Sequence, residues 1–368
     1  MRAFHFSLIV AFLFFSCGET KQGDLLEIAV DTDQNALLLL SEIAEELAAI
    51  ELELTDESVV NIDQIERVII SKEYFIIAEL SKILIFNKYG KFIRSIASKG
   101  LGPGEYNYIH NIAMDEKNKR LFILANSPSK IMCYDFDGNF LKSKAHPPMI
   151  FFEDISYIND QLLVIGRQNG RDEVKGLISH SAVCQLNNEF EIIDSYTINN
   201  IYLGKPHTFM TVFANRDFIF YGNKCVYIYY GNYYFTLGDD NSREKVLFDT
   251  LYRFKDNHLV PELTLKFNND KISKFISPYI IYRSSRYIFA KYRNNHNMND
   301  YFFCYDTKTG KGYNTQDGYK DDINQIEKWI NIRPSTSDTE TFYYLHTHMK
   351  PDDLEEPNPT LYIGKLKK

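Results

Sequence analysis

Apolar and polar positions along the chain alternate in short runs, and two stretches repeat one another closely. Lys82–Ser95 reads KILIFNKYGKFIRS and Lys130–Ser143 reads KIMCYDFDGNFLKS, 48 residues later. Lys, Ile, Gly, Phe and Ser recur in the same places. Each half is a strand-like run, a turn at Tyr89-Gly90 or Asp137-Gly138, and a second strand-like run. Asp-Gly between two such runs is a strong hairpin signal. The same design returns at Ala182–Ile193, Leu251–Leu265 and Tyr301–Tyr313, and Leu361–Lys367 reads as a terminal strand. Two further strand-like runs precede the hairpins. In the second unit these are Ile112–Met114 and Leu121–Leu124, parted by the polar turn Asp115–Lys119.

Repeats of this length with four strands each predict blades set radially around an axis. With Phe86, Tyr134, Cys184, Tyr252, Phe303 and Tyr362 as markers, the gaps are 48, 50, 68, 51 and 59 residues. The expectation is therefore an all-β, six-bladed β-propeller of four-stranded antiparallel blades. The 68-residue gap points to an insertion around Asp239–Lys245. Lys328–Ile332, Phe342–Thr347 and Thr360–Leu366 give the last blade three strands. The alternating segment Ala49–Leu54 has no hairpin partner of its own and is expected to supply the fourth. Closure by the two chain ends protects the final sheet edge.

The N-terminus follows a different pattern. Arg2 precedes an almost unbroken apolar run, Phe4–Phe15, which is too short to span a bilayer and fits the apolar core of a signal peptide. Phe-Phe-Ser-Cys follows, with a small residue before Cys17. This resembles a bacterial lipobox, with Phe14 where Leu is commonest. The resemblance implies cleavage after Ser16 and lipidation of the Cys17 thiol. Gly18–Asp24 is polar and has nothing to bury. The expected organisation is a signal peptide over 1–16, a lipidated N-terminus and flexible tether over 17–45, and a propeller over 46–368. An outer-membrane lipoprotein facing the periplasm or the cell surface is the corresponding location.

Composition adds two points. Tyr (26) and Phe (27) are abundant, which favours strands. The formal net charge of −8, with no clustered Lys and Arg, argues against a nucleic-acid partner.

Gly100–Asp115 (GLGPGEYNYIHNIAMD), Arg120–Leu124 and Lys130–Phe140 together resemble an NHL-type repeat. Over roughly residues 40–368, and most sharply over 50–145, the chain resembles the six-bladed β-propeller lipoproteins of Bacteroidetes, which implies the propeller, export and a binding role. Where NHL repeats usually carry Pro and Gly, this chain has Ile109 and Asn111. Physically, the glycines of Gly100–Tyr106 and the fixed φ of Pro103 make a rigid turn between blades. Glu105 and Tyr106 either face the central mouth or pack that turn, and His110 follows at the blade junction. These three are the candidate ligand-binding residues.

Cys133, Cys184, Cys225 and Cys304 read as small packing residues: equivalent positions of different blades stand too far apart for a disulfide. His346 and His348 share a strand face, but a metal needs further ligands, and only Asp352 and Asp353 stand nearby in sequence. The other histidines and the acidic run Asp352–Glu356 read as surface. No nucleophile elbow, phosphate loop or zinc-protease helix is present. No catalytic residue, metal ligand or cofactor is assigned. The reading is a lipid-anchored binding module for a protein, peptide or glycan. The alternative is a lactonase-like hydrolase or lyase that would need Ca²⁺ or Zn²⁺ at its mouth.

Overall fold

The computed structural model describes residues 25–368 except 97–98, 127–128, 147–149, 173–175, 204–210, 215–216, 223, 231–232, 237–242, 247–248, 256–257, 269–275 and 350–355. Cys17 and the signal segment, His207, and Asp352 and Asp353 lie outside the described residues.

The hairpins read from the repeat are present. Ile83–Asn87 pairs with Phe92–Ile96, and Lys130–Asp135 with Phe140–Ala145. Both turns rest on one device. Asn87 Oδ1 accepts from the amides of Tyr89 and Lys91, and Asp135 Oδ1 accepts from that of Asn139. Gly90 and Gly138 stand at φ +77° and +80°, where a side chain is strained. In the third repeat Asn187 makes the same bonds to Glu189 and Glu191, and Phe190 takes the left-handed position at +57°.

The strands form a β-propeller with seven blades, and this corrects the expected six. The first three blades are four-stranded antiparallel sheets over Ile65–Ile96, Tyr108–Ala145 and Ile150–Leu203. The fourth uses four strands of Phe218–Phe267 and gains Leu26–Val30 as a parallel fifth. The fifth spans Ile276–Thr315.

The extra blade is a small three-stranded sheet. Tyr319–Asp321 pairs antiparallel with Ile326–Ile330, and Leu38–Leu39 adds a parallel strand. It lies within the 59-residue gap between the markers Phe303 and Tyr362. Its strands are too short to repeat the hairpin signature, so the spacing of the repeats does not reveal it. Most of Lys328–Ile332, expected in the last blade, belongs here instead. The last blade begins at Arg333–Pro334, continues through Thr341–His346 and Thr360–Leu366, and is closed by Ala44–Glu51. The closing strand thus lies about five residues upstream of the expected Ala49–Leu54.

Two more differences follow from packing. Residues 17–45 were expected as a tether, yet the chain is packed from Leu26 on. Ile28 and Val30 are buried against the fourth blade because their alternation matches its groove. The insertion in the long gap forms a side sheet, Thr211–Ala214 with Tyr233–Thr236 and Arg243–Val246.

The core lies between blades, and each sheet gives one face to each neighbour. Ile76, Ile83 and Ile85 meet Ile112 and Ile123 of the second blade. From the opposite face, Val68, Phe75, Ile77 and Phe86 meet Tyr343 and Leu361 of the last blade. Burying each such side chain contributes about 1.5–3 kcal/mol. The four cysteines are free, and three of them are buried. Burial pushes the Cys133 thiol up to about 11.

Candidate functional site at the axial mouth

Four blades share a defect near the start of their first strand. Register with the neighbouring strand slips between Ile65 and Arg67, Ile109 and Asn111, Phe152 and Asp154, and Pro278 and Ile280. Glu66, His110, Glu153 and Tyr279 are the extra residues. A bulge bends the strand and re-aims side chains, so two successive polar residues can both escape the inter-blade cores. The residues after the first three bulges, Arg67, Asn111 and Asp154, are buried and meet one another.

Asp154 is the hub. Arg67 reaches its Oδ1 at 2.6 Å, and the Asn111 amide donates to the same oxygen. Oδ2 accepts from the Ile219 amide at 2.6 Å, and Oδ1 also accepts from that of Ile155 at 2.9 Å. Four blades are tied by this one carboxylate. Arg67 also approaches Thr336 of the last blade at 3.4 Å. Burial raises the Asp154 pKa above the usual carboxylate value, against the pull of Arg67 and the two amides.

A second chain of charge runs alongside. His110 Nε2 stands 3.7 Å from Glu153, which binds Arg167 at 2.9 Å. Arg167 lies 3.5 Å from the buried Asp217 and over the Tyr230 ring. Burial works against ionisation of Glu153, but the His110 hydrogen bond and the Arg167 charge prevail and hold its pKa below the usual value.

Beside these clusters a cavity of about 400 Å³ opens between the first blade and the fourth, fifth, sixth and last blades. That volume falls in the range of small-molecule sites. Its walls are aromatic, with Phe218, Phe220, Tyr279, Tyr282 and Phe302 among them. Its charged residues are three cations, Arg67, Lys291 and Arg333, and one carboxylate, Glu66. Lys291 lies 5.7 Å from the Tyr279 ring centre and 5.3 Å from that of Phe302. The arrangement can bind a partly apolar ligand and orient it by charge.

Of the sequence candidates, His110 sits in the charge chain with Glu153 and not among the residues lining the cavity. Glu105 and Tyr106 pack the loop. Glu105 Oε2 accepts from the Gly102 amide at 2.9 Å, and a Cβ at Gly100 would stand 2.1 Å from that oxygen. The buried Tyr106 donates its hydroxyl to the Ile96 carbonyl. Lys130 and Tyr134 hold the loop carbonyls of Gly102 and Gly104. His346 and His348 pack ring to ring at 4.5 Å, and His348 bonds the Tyr362 hydroxyl at 2.6 Å. Among the described residues, no three His, Cys, Asp or Glu side chains converge as a metal site.

Sequence reasoning missed Arg67, Glu153, Asp154, Tyr279 and Lys291. A signal existed: Ile65-Glu-Arg-Val, Ile109-His-Asn-Ile and Phe152-Glu-Asp-Ile each place two adjacent polar residues inside an apolar strand.

No curated protein matches the chain. A crystal structure of a Bacteroides fragilis protein proposed to be exported superposes with a TM-score of 0.63 at 18% identity, covering 94% of this chain and all of that one. A Bacteroides caccae protein of unknown function gives a TM-score of 0.39 at 14% identity, over 77% of this chain and 86% of that one. The first likeness is one of fold. The family described as a domain of unknown function (DUF4934) matches residues 24–368, and the chain belongs to it.

Proposed function

We propose that this β-propeller is an exported, NHL-like outer-membrane lipoprotein, anchored through Cys17, that works as a binding module for a protein, peptide or glycan at the cell envelope. The observation that carries the reading is the axial cavity, rimmed by side chains that bulges in separate blades turn toward it. Two of the four bulge residues, Glu66 and Tyr279, line it. The lipobox-like Phe-Phe-Ser-Cys supports the anchor, and the exported character proposed for the B. fragilis protein of like fold agrees with it.

The test is affinity capture from the native envelope with the full chain and with a variant carrying Tyr279→Ala, Lys291→Ala and Arg333→Ala. Partners captured by the natural chain and lost by the variant are expected. An identical set captured by both removes the mouth as the binding surface.

A further inference from the structure

We infer that the axial cavity takes a carboxylate carried on a ring-shaped body. This rests on the binding role just proposed and names the chemistry of the ligand.

Charge comes first. The chain is acidic overall, yet three of the four charged residues lining this cavity are cations. Arg67 is neutralised by Asp154, which leaves Lys291 and Arg333 against the single carboxylate Glu66 to act on an occupant. Lys291 shares one carboxylate, Asp300, with Arg293, at 3.3 Å and 2.7 Å respectively. Two cations thus face one anion, and the wall keeps a positive excess. Arg333 is exposed at the start of the last blade and lines the same cavity. Two cations beside aromatic walls favour a carboxylate, because charge-assisted hydrogen bonds are stronger than neutral ones.

Shape comes second. Tyr279 and Phe302 flank Lys291, and Arg293 also lies over the Tyr279 ring at 5.5 Å. Aromatic faces beside an anchored charge suit a flat or CH-faced ring. Tyr319 adds a polar point. It lines the cavity and is almost fully buried, and its hydroxyl lies against the Cys304 thiol, a weak hydrogen-bond partner. A ring substituent reaching that hydroxyl offers it a stronger one.

The carboxylate can come from a sugar acid or an aromatic acid, and calorimetric titration of the full chain in detergent separates them. The probes are glucuronate with methyl glucoside as its neutral partner, and phenylacetate with phenylacetamide. Binding of either acid with no binding of its neutral partner is the expected result, and the acid that binds identifies the ring. Lys291→Gln and Arg333→Gln should each weaken it about tenfold or more. Asp300→Asn releases Lys291 and Arg293 and should tighten binding severalfold, an effect that misfolding cannot mimic. Binding of neither acid, equal binding of a neutral partner, or no gain with Asp300→Asn overturns the inference. If the acids fail while the triple variant still loses its envelope partners, the carboxylate is wrong and the binding role stands. If both fail, the mouth has neither role.

Discussion

Asp154→Asn tests whether one buried carboxylate holds the blades together at the axis. The substitution keeps the shape and removes the charge. Arg67, only 6% exposed, loses its counter-charge and keeps a neutral amide oxygen and the 3.4 Å contact to Thr336 as acceptors. Removing one partner of a buried pair costs about 3–5 kcal/mol. The new amide NH₂ also meets donors that the carboxylate satisfied: the Ile219 amide on the Oδ2 side, the Ile155 amide and Asn111 on the Oδ1 side. At least one is orphaned, for about 1–3 kcal/mol more. A loss of about 4–8 kcal/mol follows, or roughly 6–11 °C in Tm for a chain of this length. Thermal and urea unfolding followed by far-UV circular dichroism at neutral pH measure it. Adding Arg67→Met removes the stranded cation and should return about 2 kcal/mol. A single variant within about 1 kcal/mol of the natural chain refutes the reasoning. So does a double variant no more stable than the single one.

Three other outcomes follow from local features. His146 packs edge-on to Phe152, and burial lowers its pKa to about 4. A histidine held neutral when folded contributes stability above its unfolded pKa of about 6.5, and that stability drains away as pH falls toward 4. His146→Phe should therefore flatten the stability profile between those values, by about 2–3 kcal/mol at the acid end; an unchanged slope counts against it. A Cβ at Gly364 would lie 2.0 Å from the Phe342 ring, so Gly364→Ala should cost about 1–3 kcal/mol in urea unfolding. A neutral result would mean that the closing blade yields freely. Cys17→Ser should move the protein from the membrane pellet to the soluble fraction and abolish incorporation of labelled fatty acid; pelleting of the variant speaks against a lipid anchor.

Much of the fold was legible because its rules are local. Alternation marks a strand, and an Asn or Asp three residues before Gly90 or Gly138 makes a turn wherever it occurs. These features exposed the repeat, the hairpins and the class of fold. They also exposed the two-ended closure, because Ala49–Leu54 alternates without a neighbour to pair with. The heptad was read as a rigid turn, and its bonds to Lys130 and Tyr134 hold it as one. His110 was found only because it follows that loop.

The blade count was decided elsewhere. Leu38 pairs with Tyr319 across most of the chain, and two short strands carry no repeat strong enough to announce a sheet. The same holds for Leu26–Val30, whose partner strand ends at Phe267. The mouth depended on tertiary structure most of all. Whether Glu66, His110, Glu153 and Tyr279 face the axis depends on a one-residue slip against the next strand, and a slip of one reverses every side chain beyond it. Arg67 and Asp154 are 87 positions apart, and neither sequence neighbourhood announces the other. The sequence determined strands, turns and the ring they build, because those rest on residues close together. Which charges meet at the centre, and the cavity they border, were left to the closure of the ring, because only there do distant first strands converge.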